Sequence, residues 1–146
     1  MARTKRTEKG FTLIELMVVL VIIGLTASVV VLAVPESGGS LSAEAEGFAA
    51  RAKAARDGAI LESRAAAVRV GPGGYSLSRR IGGRWQGVSS HEWADGTSAA
   101  LTGANADGVI RFDATGIAQP ASLVLSRGER RIAIEIGSDG NARVRR

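Results

Sequence analysis

One carboxylate, Glu15, stands inside an apolar run. Phe11, Leu13 and Ile14 precede it, and residues 16–34 after it carry no charge. A carboxylate at membrane depth is rare and marks a paired charge or a functional group. Its chemistry is electrostatic: it can hold a cation, and at a helix N-terminus it meets the favourable end of the macrodipole. The inventory for catalysis is thin. His91 is the only histidine and cysteine is absent, which excludes a Cys/His pair, a thiolate metal cluster and a disulfide framework. His91, beside Glu92, reads as a loop residue rather than a ligand. The stretch "GPGG" at 71–74 lacks the Gly-Lys-Ser/Thr ending of a phosphate loop and reads as a turn. Asp107, Asp113 and Asp139 each have a glycine within three residues, as turn aspartates do, and their scatter lacks the spacing of a calcium loop. No serine is paired with a base by motif. The expectation is a non-enzymatic chain with no cofactor and no metal.

Arginines are the remaining candidates. Arg127, Arg130 and Arg131, with Arg143, Arg145 and Arg146, can sit on adjacent strands as a basic contact patch. Such a patch can hold nucleic-acid phosphates, meet a protein, or simply guard a strand edge, where cations deter sheet-to-sheet pairing. Few aromatics accompany these arginines, so stacking on single strands has no support. The edge or protein-contact reading is preferred, and nucleic acid is not expected as a partner.

The elements that must position these groups follow from composition and period. At 146 residues the chain has room for one domain plus an appendage. The formal charge of +5 falls to +2 without the first ten residues, which hold Arg3, Lys5, Arg6 and Lys9 against Glu8. The basic character therefore belongs partly to the N-terminal leader. A helix over 11–34 would reach about 36 Å, enough to span a bilayer's hydrocarbon core. Basic residues before it and none just after it predict a cytoplasmic N-terminus. A secretory signal peptide with "AVPE" at 33–36 as its cleavage site is the rival, but the apolar run is too long for one.

The stretch "KGFTLIELMVVLVIIG" at 9–24 closely resembles the class III leader and mature start of type IV pilins and type II secretion pseudopilins. Their pattern is a short basic leader ending in Gly, then Phe, Thr, Leu, a hydrophobic residue and Glu. It is matched here at Gly10, Phe11, Thr12, Leu13, Ile14 and Glu15, and again at Gly24. The resemblance implies that a prepilin peptidase cuts between Gly10 and Phe11 and methylates the new Phe11 amine. It also implies that Thr12 and Glu15 serve assembly, Glu15 pairing with the terminal amine of a neighbouring subunit. An interfacial Glu that merely stays wet is the plainer alternative. Many pilins kink the helix with a proline where this chain has Leu32; its nearest proline is Pro35.

Beyond a break at "PESGGS", 35–40, lies an Ala-rich helical pattern. Leu41, Ala45, Phe48, Ala52, Ala55 and Ala59 recur at spacings of four and three, giving one narrow apolar stripe. Ser42 is the expected N-cap. From about Ala66 short runs read as strands: 67–70, 74–78, 83–88, 109–112, 122–126, 131–136 and 142–145. Ile132, Ile134 and Ile136 share one strand face, and "SDGN" at 138–141 is a hairpin turn. Residues 89–108 show no clear period and read as a long loop. The absence of intervening helices predicts antiparallel sheet.

The closing stretch "IRFDATGIAQPASLVLSRGERRIAIEIGSDGNARV", 110–144, resembles GspH-type minor pseudopilins and the related FimT-type minor pilins. The implied fold is α+β and pilin-like: a leader at 1–10, a transmembrane and assembly helix at 11–34, a flexible joint at 35–40, and a periplasmic domain at 41–146 combining the Ala-rich helix with an antiparallel β-sheet. The implied function is a minor pseudopilin of a type II secretion system, a structural subunit near the tip of the pseudopilus, anchored in the inner membrane. The alternative is a FimT-like minor pilin of a type IV pilus or DNA-uptake system. The implied partners are other minor and major pseudopilins, the prepilin peptidase/methyltransferase, inner-membrane lipid and exported proteins.

Overall fold

The computed structural model describes residues 13–32, 39–103 and 107–145, with side chains of the first helix described from 13 to 24. Gly10, Phe11 and Thr12, and most of the joint at 35–40, lie outside the described residues. The chain forms two units, Met1–Glu36 and Ser37–Arg146. In the first, helix α1 runs Leu13–Leu32 with Glu15 in its first turn. All its described side chains are exposed, among them Leu13, Ile14, Leu20 and Val21. A helix apolar on every side is made to be surrounded by something other than water. Among the described residues no helix is long and apolar enough to cross a membrane.

The second unit begins with α2, Leu41–Leu61. Alanine is the strongest helix former, and Glu44 lies in the first turn where the macrodipole favours a carboxylate. The cap is Ser40, not Ser42: the Ser40 hydroxyl oxygen accepts from the Ala43 N–H at 3.1 Å. Ser42 instead reaches along the helix toward Glu46. The expected stripe is buried at Leu41, Ala45, Phe48, Ala52 and Ala59, with Ala49 added and Ala55 half-buried.

Among the described residues eight strands follow: β1 (Ala66–Gly71), β2 (Gly74–Ile81), β3 (Arg84–Glu92), β4 (Ser98–Gly103), β5 (Val109–Phe112), β6 (Ala121–Arg127), β7 (Arg130–Ile136) and β8 (Ala142–Arg145). They form two antiparallel sheets of four, ordered β3-β2-β1-β5 and β4-β6-β7-β8, rather than one. Helix α2 packs against β1 and β5 of the first sheet and β6, β7 and β8 of the second. Its alanines admit both sheets closely, and large groups such as Phe48, Phe112, Ile110, Leu123 and Ile134 fill the shared core.

Residues 89–108 are not one loop. The end of β3 and all of β4 fall there, and Trp93 between them is buried at 8% exposure. Trp93 packs with Phe48 and Tyr75, at ring-centroid distances of 6.0 and 4.8 Å, and its indole N–H donates to the Gly71 carbonyl at 3.0 Å. The β2–β3 hairpin turns on Gly82 and Gly83, both at positive φ, the backbone such tight hairpins require.

Candidate assembly and contact surfaces

Glu15 is the one ionisable side chain of α1, directly after Leu13 and Ile14 and in the turn where backbone N–H groups lack helical partners. Leu16, Met17 and Val18 beside it are exposed. Any charge held there must therefore be held among apolar neighbours, where a counter-cation matters more than in water.

The arginines of the predicted patch do not form one set. Arg127 is committed inward. Its Nε donates to Thr97 Oγ1 at 3.0 Å and its Nη1 to the Gly39 carbonyl at 3.1 Å, while Nη2 pairs with Glu44. Glu44 is only 13% exposed and also accepts from the Ala94 N–H at 2.7 Å and the Thr97 hydroxyl at 3.0 Å. This knot ties the first turn of α2 to β4 and β6. Arg130 and Arg131 stay exposed at the start of β7. Arg143 and Arg145, also exposed on β8, lie across from Glu135 and Ala133; Arg145 pairs with Glu135 at 2.9 Å, and Arg143 approaches Asp139 at 3.9 Å. Strand alternation puts Arg131, Arg143 and Arg145 on the side of this sheet away from α2, where Glu135 divides them.

His91 lies on β3, not in a loop, and stacks against Tyr75 at 5.2 Å. Burial pushes the Tyr75 phenol above its ordinary value. The three turn aspartates behave as local braces. Asp113 accepts from the Thr115 hydroxyl and from the N–H groups of Thr115 and Ile117. The Thr115 hydroxyl is the main reason its carboxyl sits below the usual range. Asp139 is lowered chiefly by Asn141, and Asp107 chiefly by Arg111. Among the described residues no group of histidines and carboxylates could hold a metal ion.

A second basic face was not anticipated. Arg69, Arg80 and Arg111 lie on β1, β2 and β5, on the side of their sheet that points away from α2. They are far apart in sequence, and the signal that could have grouped them is their shared strand parity, opposite to the buried Ala66, Val68 and Ile110.

The N-terminal motif is matched by the family of prokaryotic N-terminal methylation motifs over residues 5–31. The model of the type II transport protein GspH matches residues 44–140. The chain belongs to the GspH family. It is 35% identical over 139 residues to the type II secretion system protein H of Pseudomonas aeruginosa, spanning 85% of this chain and 79% of that protein. Its fold is similar to that of the minor pseudopilin EpsH from the type 2 secretion system of Vibrio cholerae, with TM-score 0.63, 14% identity, and coverage of 71% of this chain and 94% of that one. It is equally similar to the type IV minor pilin FimU of Pseudomonas aeruginosa, with TM-score 0.61, 18% identity, and coverage of 73% and 88%. The GspH region takes in Glu44 with its partners Ala94, Thr97 and Arg127, the whole first sheet, and strands β4, β6 and β7 of the second, so the pilin-like α+β architecture and the family rest largely on the same residues.

Proposed function

We propose that this GspH-family chain is a minor pseudopilin, a structural and non-catalytic subunit near the tip of a type II secretion pseudopilus. In this reading residues 1–10 are a leader removed between Gly10 and Phe11 by a prepilin peptidase, which methylates the new amine. Residues 11–34 anchor the subunit in the inner membrane with the N-terminus in the cytoplasm, 35–40 act as the joint, and the domain at 41–146 stands in the periplasm. The observation that carries the reading is the likeness to protein H across most of the chain, supported by the separate N-terminal methylation motif at 5–31.

The role of Glu15 follows from electrostatics. Cleavage creates a cationic amine at Phe11, about one helical turn before Glu15. An unpaired carboxylate costs up to about 3 kcal/mol at mid-membrane and less near a helix end. Pairing with the amine of a neighbouring subunit recovers part of that cost, so the charge favours assembly and helps set its register. Thr12 lies between the two charges and belongs to the same contact.

A minor pilin of a type IV pilus is the second reading, and the FimU-like fold is the observation in its favour. Two experiments separate the readings and test both. Mass spectrometry of the membrane-extracted protein should find a chain beginning at methylated Phe11, and Gly10→Val should leave the leader intact. Deleting the gene should strand folded exoproteins in the periplasm while surface pili persist. Lost pili with normal secretion would reject the secretion reading, and an uncut leader in a peptidase-positive strain would reject both.

A further inference from the structure

The outer face of the first sheet carries a cleft of about 420 Å³, lined by Ala65, Arg80, Trp85, Arg111, Asp113 and Ile117 among others. Its construction follows from strand alternation. Ala66, Val68, Leu77, Ile110 and Phe112 turn toward α2 and the core, so the residues between them must turn away. Arg80 stands across from Trp85 on β3, and its N–H donates to the Ala65 carbonyl at 2.8 Å. Arg111 stands across from Ala67 on β1. The two arginines are thus two strands apart, roughly 10 Å by sheet spacing, with small alanines between them.

The cleft offers positive charge beside apolar surface. Among the described residues Arg80 has no carboxylate partner, and Arg111 spends only Nη2 on Asp107. Asp113 is turned back into its own loop, since its Oδ1 is filled by Thr115 and Ile117. Trp85 is 45% exposed and Ile117 is 57% exposed, both large apolar groups held open to solvent. Arginine forks suit carboxylates, and an exposed indole beside an aliphatic side chain suits another apolar group. A nucleic-acid backbone fits less well, because the lining offers two cations, Arg80 and Arg111, to a continuous run of phosphates, and its exposed apolar groups find no apolar partner on a sugar-phosphate chain.

We propose that this cleft docks a protein partner through an acidic segment that presents a carboxylate next to an aliphatic side chain. The site lies wholly within the folded domain and does not depend on α1, so its failure and the failure of the pseudopilin reading are distinguishable. The test uses the full-length chain in detergent micelles and a fluorescein-labelled peptide of repeating Asp-Leu pairs, read by fluorescence anisotropy. Binding should saturate. Arg80→Gln and Arg111→Gln should each weaken it by about tenfold. Replacing the peptide's leucines by serine should weaken it by roughly fivefold, as should Trp85→Ser. Lys53→Gln removes one positive charge from the exposed side of α2 and should change nothing. Unchanged urea midpoints for the three cleft variants, whose altered side chains are all exposed, would show that binding and not folding was altered. Several results would overturn the proposal: no saturable binding, an Asp-Ser peptide or a single-stranded oligonucleotide of equal charge binding as well as Asp-Leu, or Lys53→Gln weakening binding as much as Arg80→Gln.

Discussion

Replacing Glu44 with glutamine keeps the side chain's size and removes its charge, and the knot around it shows what that costs. Glu44 accepts from the Ala94 N–H, the Thr97 hydroxyl and the Arg127 guanidinium. Glutamine has one acceptor oxygen to serve three donors, and its amide N–H₂ turns a further donor toward them. Arg127 is 26% exposed and Glu44 13%, so the pair is partly screened and the full penalty of breaking a buried ion pair does not apply. A charge-assisted hydrogen bond contributes about 1.5–3 kcal/mol, and a loss of about 2 kcal/mol is expected here. With a urea slope of about 1.5 kcal/mol per molar, the midpoint should fall by roughly 1.3 M. Fluorescence of the buried Trp93, which packs on Phe48 of the same helix, reports the transition. In a double-mutant cycle with Arg127→Met, the pair should couple by about 1–2 kcal/mol. A midpoint within error of the parent, or a coupling energy of zero, would refute the claim that this knot fastens α2 to the second sheet.

Other outcomes follow from features of the same molecule. Phe48→Ala empties the centre of the core shared by both sheets and should cost about 3–5 kcal/mol, visible as a collapse of the thermal transition. Gly140 lies at positive φ with the Gly116 carbonyl and the Arg56 side chain where a Cβ would stand, so Gly140→Ala should destabilise by more than about 2 kcal/mol in the same assay. The Asp113 carboxyl is held below its ordinary 3.8, so its stabilising effect is present above that value and disappears as pH falls through the lower folded value. Asp113→Asn should therefore be less stable than the parent at neutral pH, and the difference should vanish in strong acid when stability is measured against pH. Glu15→Leu should still be cleaved and inserted, yet crosslink poorly to neighbouring membrane helices and reduce secretion; equal crosslinking at matched protein levels would make Glu15 only a tolerated charge.

The parts of the fold that could be read from the sequence are those where period and burial agree. The α2 stripe was visible because Leu41, Phe48 and the alanines repeat at helical spacing and face one core. β7 was visible because its isoleucines alternate and bury on one face. β4 was hidden because "SAALTG" has no β-branched run; its Ala99 and Leu101 pack inward, but only pairing with Leu125 and Leu123 on β6 makes it a strand. The cap shifted by two residues because Ser40 and Ser42 are chemically equal, and only the backbone at Ser40 is extended. The split into two sheets was unreadable for a topological reason: β5 follows β4 in sequence yet pairs with β1. The arginines at 127–131 look alike in sequence, and nothing local reveals that Arg127 answers a carboxylate 83 residues away. The leader motif was legible because it is contiguous, whereas the cleft near Arg80 is assembled from distant strands.

The fastening at Gly39 and Ser40 has a mechanical consequence. A pull reaching the domain from its N-terminal side arrives first at these two residues. There the load meets the Arg127 Nη1 bond to the Gly39 carbonyl, the Ser40 cap on Ala43 and the Glu44 carboxylate within one turn. Because Arg127 sits at the end of β6, part of the force bypasses the helical ladder and passes straight into a sheet whose strands share it through their paired backbones. The first turn of α2 then cannot peel away on its own: its rupture requires several bonds to fail together, and rupture force rises when bonds are loaded in parallel instead of one after another. In a subunit pushed or dragged along a growing filament, the globular end would therefore keep its shape under the load.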